Sequence, residues 1–240
     1  MKAMQRWHSE RLGAEMTVCR WGHHGVPVLL FPTAGGDAEE AERRGLVDAC
    51  ADLLGAGRIK LYTCDSIAGR AMVEQWGEPA QRQRLLDAFH RAVRHEVVPA
   101  IHEDCHGELD VVAAGASIGA FNALAVTCRF PEVFRTAICM SGTFDLRDHY
   151  DGVFSDPLYF SSPLDFLPGL EGPQLDRLRD RFVLFASGEG AWEDIGESWR
   201  AADVLGAKLV PNRVVSWGGD WEHDWATWLA MLPTYLAELA

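Results

Sequence analysis

A glycine-rich motif in the middle of the chain has the residue types and spacing of a serine nucleophile. Gly115-Ala116-Ser117-Ile118-Gly119 matches G-x-S-x-G. In this pattern the serine occupies a sharp turn from a strand to a helix, and the small residues two positions away let strand and helix approach closely. The helix then directs its first N–H groups at negative charge that develops on a substrate. The alternative interpretation is a glycine-rich turn in which the serine only caps a helix.

The general base for such a serine has to come later in the chain, because this motif is followed by the acid and then by the histidine. Two histidines, His149 and His223, follow Ser117. His149 falls in an irregular segment, whereas His223 lies between the last predicted strand and the last predicted helix. This position predicts His223 as the base. The alternative is a surface or helix-capping histidine.

The acid that orients the base is expected in the stretch 187–194, directly after a predicted strand. This stretch offers three carboxylates, Glu189, Glu193 and Asp194. A short, firmly held carboxylate is sufficient to orient an imidazole. Judged by loop reach, the preferred acid is Asp194, followed by Glu189 and then Glu193. Asp194 is also placed to cap the next helix.

Stabilisation of an oxyanion requires two backbone N–H groups. Ile118, directly after the nucleophile, supplies one of them. The second is expected from the loop after the strand at 26–31, where Pro32 has no N–H to donate. The donor is therefore Thr33 or Ala34, and Thr33 is the primary prediction.

The elements that have to position these residues alternate along the chain. Buried apolar runs predict strands at 7–12, 14–21, 26–31, 59–64, 109–114, 136–140, 182–186 and 213–217. Helices are predicted at 39–54, 80–105, 118–130, 195–207 and 224–239. This order predicts an α/β fold, with a mostly parallel sheet covered by helices on both faces. Residues 1–240 are expected to form a single domain.

The irregular segment 142–173 is predicted to be a short lid-like insertion. It follows a strand, so it leaves the same sheet edge that presents Ser117. Among its aromatic residues, Phe144, Tyr159 and Phe160 are predicted to line the substrate pocket. The alternatives are that these residues pack the segment onto the sheet or form a dimer contact.

Composition and sequence motifs make several classes of binding partner unlikely. A formal net charge of −13 disfavours binding to nucleic acid. No apolar run is long enough for a membrane span, and the polar start of the sequence is unlike a signal peptide, so we expect a cytoplasmic protein without membrane association. The six dispersed cysteines indicate buried thiols. His102 and His106 fit H-E-x-x-H, but they end a helix, so no metal or other cofactor is expected. The sequence is compatible with a homo-oligomer.

Three segments together resemble the putative-esterase branch of the α/β-hydrolases: GASIGA at Ser117, SGEGAWEDIGES, and WGGDWEHDWATW. That branch includes S-formylglutathione hydrolases, feruloyl esterases, enterochelin esterases and mycolyltransferases. The resemblance extends from about residue 26 onward and implies an α/β-hydrolase fold with a cofactor-free Ser-acid-His triad. Its match of the acid to the 187–194 stretch supports Asp194, and its match of the histidine supports His223. The first loop departs from the family, because FPTAGGD replaces a His-Gly-Gly-Gly run.

The predicted activity is hydrolysis of short-chain or aromatic carboxylic esters by Ser117, His223 and Asp194 through an acyl-enzyme intermediate. The same triad is compatible with an acyltransferase or a thioesterase. The alternative from another class is a non-catalytic binding protein that keeps the motif as part of its fold.

Overall fold

A computed structural model describes residues 2–240, and its centre is one eight-stranded sheet. The strands are β1 (Lys2–Ser9), β2 (Ala14–Trp21), β3 (Val26–Phe31), β4 (Ile59–Cys64), β5 (Val111–Ala116), β6 (Phe134–Met140), β7 (Phe182–Ser187) and β8 (Asn212–Ser216). Their order across the sheet is β1-β2-β4-β3-β5-β6-β7-β8. The strands β4, β3, β5, β6, β7 and β8 pair in parallel, and β1 and β2 form an antiparallel edge. The predicted mostly parallel sheet is confirmed.

Helices cover both faces of this sheet, as predicted. They are α1 (Glu40–Arg43), α2 (Leu46–Ala49), α3 (Ala51–Gly55), α4 (Ile67–Val73), α5 (Pro79–Ala92), α6 (Val98–Cys105), α7 (Ile118–Arg129), α8 (Asp156–Ser161), α9 (Pro163–Phe166), α10 (Pro173–Arg179), α11 (Ile195–Ala207) and α12 (Trp225–Leu239). One apolar layer contains α1, α2 and α12, and the other contains α4 to α11. Within residues 2–240, none of the helices is long and apolar enough to cross a bilayer.

The central strand β5 is apolar along its whole length because it contributes to both layers. In β5, Val111 and Ala113 belong to the α7 layer, whereas Val112 and Ala114 belong to the α12 layer. All four are fully buried. This double burial explains why the sequence shows continuous apolar runs rather than alternation.

Two predicted elements differ from the structure near the amino terminus. The helix predicted at 39–54 is wrong, because three short helices replace it and Gly45 between the first two has a φ of +83°. Glycine adopts this left-handed conformation readily, and it ends the first helix. The opening strand is shifted from 7–12 to Lys2–Ser9, because Ser9 accepts the turn hydrogen bonds from Leu12 and Gly13. Helix α4 was not predicted.

The helix predicted at 80–105 is present as α5 and α6, joined by a π-helical turn at Val93–Val97. Pro99, which follows this turn, has no N–H and cannot continue the regular α-helical ladder. Widened turns commonly accommodate such an interruption.

The segment 142–173 packs along the α7 layer and is not a free cap. Its helices α8 and α9 contact α5 and α7, respectively. Tyr150, Leu158 and Phe166 are buried in that layer. The lid-like arrangement predicted for this segment is therefore replaced by side-on packing.

Candidate active site

Ser117 lies at the carboxyl end of β5, on the turn into α7. Its backbone has φ 55° and ψ −122°, a conformation that L residues rarely adopt. The Ser117 N–H donates to the carbonyl of Met140 at 3.0 Å. Its side chain remains partly exposed at the carboxyl edge of the sheet. A strained residue held by its neighbours in this way is typical of functional positions.

The two glycines of the motif permit the contact between β5, β3 and α7. A Cβ on Gly115 would lie 2.2 Å from the backbone of Gly119. A Cβ on Gly119 would lie 2.6 Å from the carbonyl oxygen of Phe31 in β3. No larger residue fits either position without moving backbone, so the spacing of the motif is a packing requirement.

His223 follows β8 and is held by contacts on two sides. Its N–H donates to the carbonyl of Ala191 at 3.0 Å, and its ring packs edge-on against Trp228 at 5.1 Å between centroids. Ring atom Nδ1 lies 3.6 Å from Oε2 of Glu193, just beyond hydrogen-bond distance. Within residues 2–240, no hydrogen bond joins the ring to Ser117 Oγ. Such bonds are often long in free enzymes and shorten with substrate.

Glu193 is the carboxylate that faces this histidine. Its side chain is 1% exposed. Oε1 accepts a hydrogen bond from Ser141 Oγ at 2.5 Å, and Oε2 lies 3.0 Å from Ser187 Oγ. Burial opposes ionisation of the carboxyl, but His223 and the two serine hydroxyls outweigh it and hold the pKa of Glu193 below its ordinary value. Glu193 is therefore an anion at neutral pH.

Asp194, the carboxylate preferred from the sequence, points elsewhere. Its side chain is 66% exposed, accepts from the N–H of Gly196 at 2.9 Å and lies 3.7 Å from Arg200. This is the geometry of a helix N-cap, here of α11. Glu189 instead accepts a hydrogen bond from Ser216 Oγ. Of the three candidates, only Glu193 is brought to His223.

Backbone hydrogen bonds join the loop of the acid to the loop of the base. The N–H of Glu189 donates to Gly218, and the N–H of Gly190 donates to Trp221, both at 2.9 Å. A Cβ on Gly188 would lie 2.0 Å from the Trp221 carbonyl oxygen. The two loops can therefore pack this closely only because glycine is present, and their contact fixes Glu193 relative to His223.

The loop after β3 provides only part of what was predicted for oxyanion binding. The Thr33 N–H donates to Glu40 Oε2 at 2.7 Å, and Thr33 Oγ1 donates to Glu40 Oε1 at 2.8 Å. A committed N–H is not free for a substrate, so this contact argues against Thr33 as a donor. Within residues 2–240, the N–H groups of Ala34 and Ile118 have no hydrogen-bond acceptor. Ile118 is the first residue of α7, where no intrahelical partner exists.

The three aromatic residues predicted to bind substrate are not assembled at Ser117. Phe144 is fully buried and packs edge-on against Phe185 at 5.3 Å. Tyr159 and Phe160 line a cavity of about 460 Å³ together with Arg129, the last residue of α7. That end lies roughly 17 Å along the helix from Ser117. Sequence spacing could not reveal this, because the segment folds down the side of α7.

An aromatic residue that the sequence analysis missed lies beside the acid. Trp192 precedes Glu193, is 93% exposed and has a φ of +65°. A bulky residue in the left-handed region is a backbone outlier that costs conformational energy. The preceding residue, Ala191, binds the His223 N–H. Trp192 therefore lies on the surface, between two residues that contact His223.

The H-E-x-x-H histidines lie at the other edge of the sheet. His102 Nε2 is 3.0 Å from the carbonyl oxygen of Leu109, and His106 caps α6 in the left-handed conformation. In the described part of the chain, no three His, Cys, Asp or Glu side chains form a cluster suited to a metal ion.

All of the residues brought together at the candidate site follow the carboxyl ends of parallel strands. Thr33 follows β3, Ser117 follows β5, Ser141 follows β6, Glu193 follows β7, and His223 follows β8. Loops at this edge converge in open α/β sheets. The arrangement can provide a serine nucleophile, a base with an anionic partner, and N–H donors for an oxyanion.

Comparison with known proteins agrees with this arrangement. The profile of the family described as "Putative esterase" matches residues 42–234. Comparison with curated proteins finds no match. A solved ferulic acid esterase superposes with a TM-score of 0.76 at 15% identity, covering 98% of this chain and 95% of that one. An S-formylglutathione hydrolase from Agrobacterium tumefaciens gives 0.69 at 13% identity, covering 99% and 92%.

The enterochelin esterase from Shigella flexneri gives a TM-score of 0.66 at 17% identity, covering 99% of this chain and 57% of that one. At these identities the superpositions establish the α/β-hydrolase fold, whereas the family profile extends over most of the sequence. The resemblance inferred from the motifs is confirmed. The chain belongs to the putative esterase family and is a carboxylic ester hydrolase.

Proposed function

We propose that this chain hydrolyses short-chain or aromatic carboxylic esters through an acyl-Ser117 intermediate, with His223 as general base and Glu193 as the acid of the triad. The observation that carries the proposal is the 3.6 Å approach of His223 Nδ1 to the buried, ionised Glu193. A buried carboxylate beside an imidazole stabilises the imidazolium that forms when a serine is deprotonated.

In the acylation step, Ser117 Oγ attacks the ester carbonyl carbon while His223 Nε2 accepts the hydroxyl proton. When the tetrahedral intermediate collapses, the C–O bond to the alcohol breaks and His223 returns the proton to the leaving alcohol. In deacylation, a water molecule takes the place of the serine hydroxyl, and its attack releases the carboxylic acid and regenerates Ser117.

Glu193 determines which nitrogen of His223 acts as the base. An anionic partner at Nδ1 keeps the proton on that atom and leaves the lone pair on Nε2. The hydroxyls of Ser141 and Ser187 hold the carboxylate in place. Asp194 has the separate task of capping α11.

The proposed oxyanion donors are the N–H groups of Ala34 and Ile118. Both are free of internal acceptors within residues 2–240; Ala34 lies on the loop after β3, and Ile118 is the first residue of α7, directly after the nucleophile. Glu40 supports this site indirectly, because it fixes Thr33 and thereby the position of Ala34. Donors held in advance of the reaction lower the barrier without reorganising.

Two features of the site support a preference for substrates with small or aromatic groups. A narrow cavity of about 10 Å³, lined by Thr33, Ala116, Met140 and Trp225 among others, lies beside the nucleophile turn. Space of this size holds about one group the size of a water molecule. The exposed Trp192, between the two residues that contact His223, offers a flat ring on which an aromatic group can stack.

The test is a panel of 4-nitrophenyl esters from acetyl to palmitoyl, assayed with wild type and Ser117→Ala. We expect kcat/KM to be highest for short acyl groups and the variant to lose at least about a thousandfold in activity. A maximum at twelve carbons or more would contradict the substrate class. A variant that keeps a tenth of the wild-type rate would contradict the nucleophile.

A further inference from the structure

Arg70 on α4 has a charged side chain without a partner. Its Nε atom is shielded from solvent and makes no hydrogen bond. Within residues 2–240 no carboxylate lies at ion-pair distance from its guanidinium. Every other arginine that is at least partly buried pairs with a carboxylate or a carbonyl: Arg20, Arg82, Arg94, Arg129, Arg135 and Arg181. In a chain with a net charge of −13, such an unpaired arginine requires a physical reason.

The guanidinium lines a polar cavity of about 300 Å³ at the carboxyl edge of the sheet. Arg6, on the edge strand β1, lies on the same cavity. It donates from Nε to Thr17 Oγ1 at 3.3 Å, and its terminal nitrogens make no hydrogen bond within residues 2–240. Two guanidinium groups therefore line one cavity with free donors.

The acidic residues of the cavity are already engaged. Two of its four carboxylates pair with a cation, Asp37 with Arg43 and Glu39 with Lys2. Glu15 lies 3.5 Å from the imidazole of His8. The fourth, Asp65, accepts the N–H groups of Thr17 and Ala38 at 2.9 and 3.2 Å. Arg6 and Arg70 offset the charges of Glu15 and Asp65 at longer range, but none of these four carboxylates contacts the Arg70 guanidinium, whose donors stay free.

The cavity lies on the nucleophile's edge of the sheet, next to the oxyanion loop. A Cβ on Gly69, the neighbour of Arg70, would lie 2.7 Å from the carbonyl oxygen of Ala34, so α4 packs directly on that loop. β4, which leads into α4, is two strands away from β5 and its Ser117. Two strand spacings correspond to about 10 Å.

We propose that Arg70 binds a carboxylate group of the substrate, so that the preferred esters carry this anion at least about 10 Å from the scissile carbonyl. This inference rests on the proposed function of Ser117. A guanidinium presents paired donors that match a carboxylate or a phosphate. The acidic residues around the cavity repel a doubly charged phosphate more strongly than a singly charged carboxylate, which selects the latter.

The test compares mono-4-nitrophenyl esters of dicarboxylic acids, from glutarate to sebacate, with their neutral methyl diesters of equal length. Wild type should prefer the anionic member at the length that reaches the cavity. Arg70→Met should lower kcat/KM for that ester by about ten- to a hundredfold, the range expected for a lost hydrogen bond to a charged group. Its rate on the neutral ester should stay within about twofold, because that ester makes no charged contact there.

Arg70→Lys, which keeps the charge, should retain part of the preference. Arg84→Met is the matched control, because it removes the charge of an exposed arginine on α5, away from the cavity. A phosphate monoester of equal length distinguishes the two anions and should be hydrolysed more slowly than the carboxylate. Equal rates on anionic and neutral esters in wild type, or an unchanged preference in Arg70→Met, would overturn the assignment. Activity that persists in Ser117→Ala would instead overturn the proposed function.

Discussion

His223 Nδ1 and Glu193 Oε2 lie 3.6 Å apart, and the carboxylate of this pair is almost entirely shielded from solvent. Such a carboxylate stays charged only where its surroundings compensate for lost hydration. Ser141 and Ser187 provide this compensation directly. Trp228 joins the two sides of the site, because its Nε1 donates to Ser141 Oγ at 3.0 Å and its ring packs on His223.

This geometry predicts opposite effects for two adjacent carboxylates. Glu193→Gln should lower kcat by about a thousandfold or more, because a neutral amide no longer favours the required tautomer of His223. Asp194→Asn should stay within about twofold, because asparagine caps helices as well as aspartate does. Steady-state kinetics on 4-nitrophenyl acetate distinguish the two. A more severe loss in Asp194→Asn would restore the assignment made from the sequence.

Glu40 is expected to act on the rate through Thr33. It is a buried carboxylate whose two oxygens both bind Thr33. Glu40→Gln should release the oxyanion loop and lower kcat about ten- to a hundredfold with little change in KM, since the oxyanion contact forms in the transition state. Glu42→Gln on the same helix is the matched control and should leave kcat unchanged. A change in KM alone would contradict this role.

Trp192 is expected to determine the preference for aromatic esters. Trp192→Gly removes the exposed ring and relieves a positive φ. We expect KM for 1-naphthyl acetate to rise several-fold, whereas kcat/KM for ethyl acetate stays unchanged and the melting temperature does not fall. Equal losses on both esters would show instead that the ring positions the catalytic loop.

His90 makes the stability of the fold sensitive to acid. It is fully buried, Nε2 bonds Asn122 Oδ1 at 3.0 Å, and Nδ1 accepts from Arg129 at 3.1 Å. Burial and the nearby Arg129 charge lower the pKa of His90 to about 3. The unfolded chain therefore takes up a proton that the folded chain excludes, and the free energy of unfolding falls as the pH drops below about 6.5.

Between pH 7 and pH 5, His90 should lower the free energy of unfolding by about 2 kcal/mol. The slope is about 1.4 kcal/mol per pH unit once His90 is protonated in the unfolded chain. Urea unfolding at several pH values measures the loss. His90→Gln should be less stable at pH 7 but should show a flatter pH dependence over this range. Equal slopes for wild type and variant would contradict the assignment.

The sequence predicted the parallel sheet and the place of Ser117 because both depend on local patterns. Continuous apolar runs identify strands buried on both faces, and the spacing of Gly115 and Gly119 follows from a contact over four residues. The segment 142–173 was predicted less well, because its position depends on long-range packing of residues such as Phe144 against Phe185.

The acid that we propose differs from the one predicted from the sequence for a similar reason. Glu193 and Asp194 are neighbours, so reach along the loop cannot separate them. The distinction comes from Ser141, which follows β6, and Ser187, the last residue of β7, whose hydroxyls turn Glu193 inward. The N-cap preference of α11 turns Asp194 outward. A cap signature at Asp194 was visible in the sequence, and a residue engaged as a cap is a weaker candidate for the acid.

The most direct test of the central claim is labelling of the protein with a fluorophosphonate, followed by intact mass and peptide mapping. An activated serine forms one covalent adduct, in which the serine Oγ replaces fluoride on phosphorus. We predict a single adduct on Ser117 in wild type and Asp194→Asn, a labelling rate at least about a hundredfold lower in Glu193→Gln, and no adduct in Ser117→Ala. An adduct on another residue, or wild-type labelling of Glu193→Gln, would contradict the account.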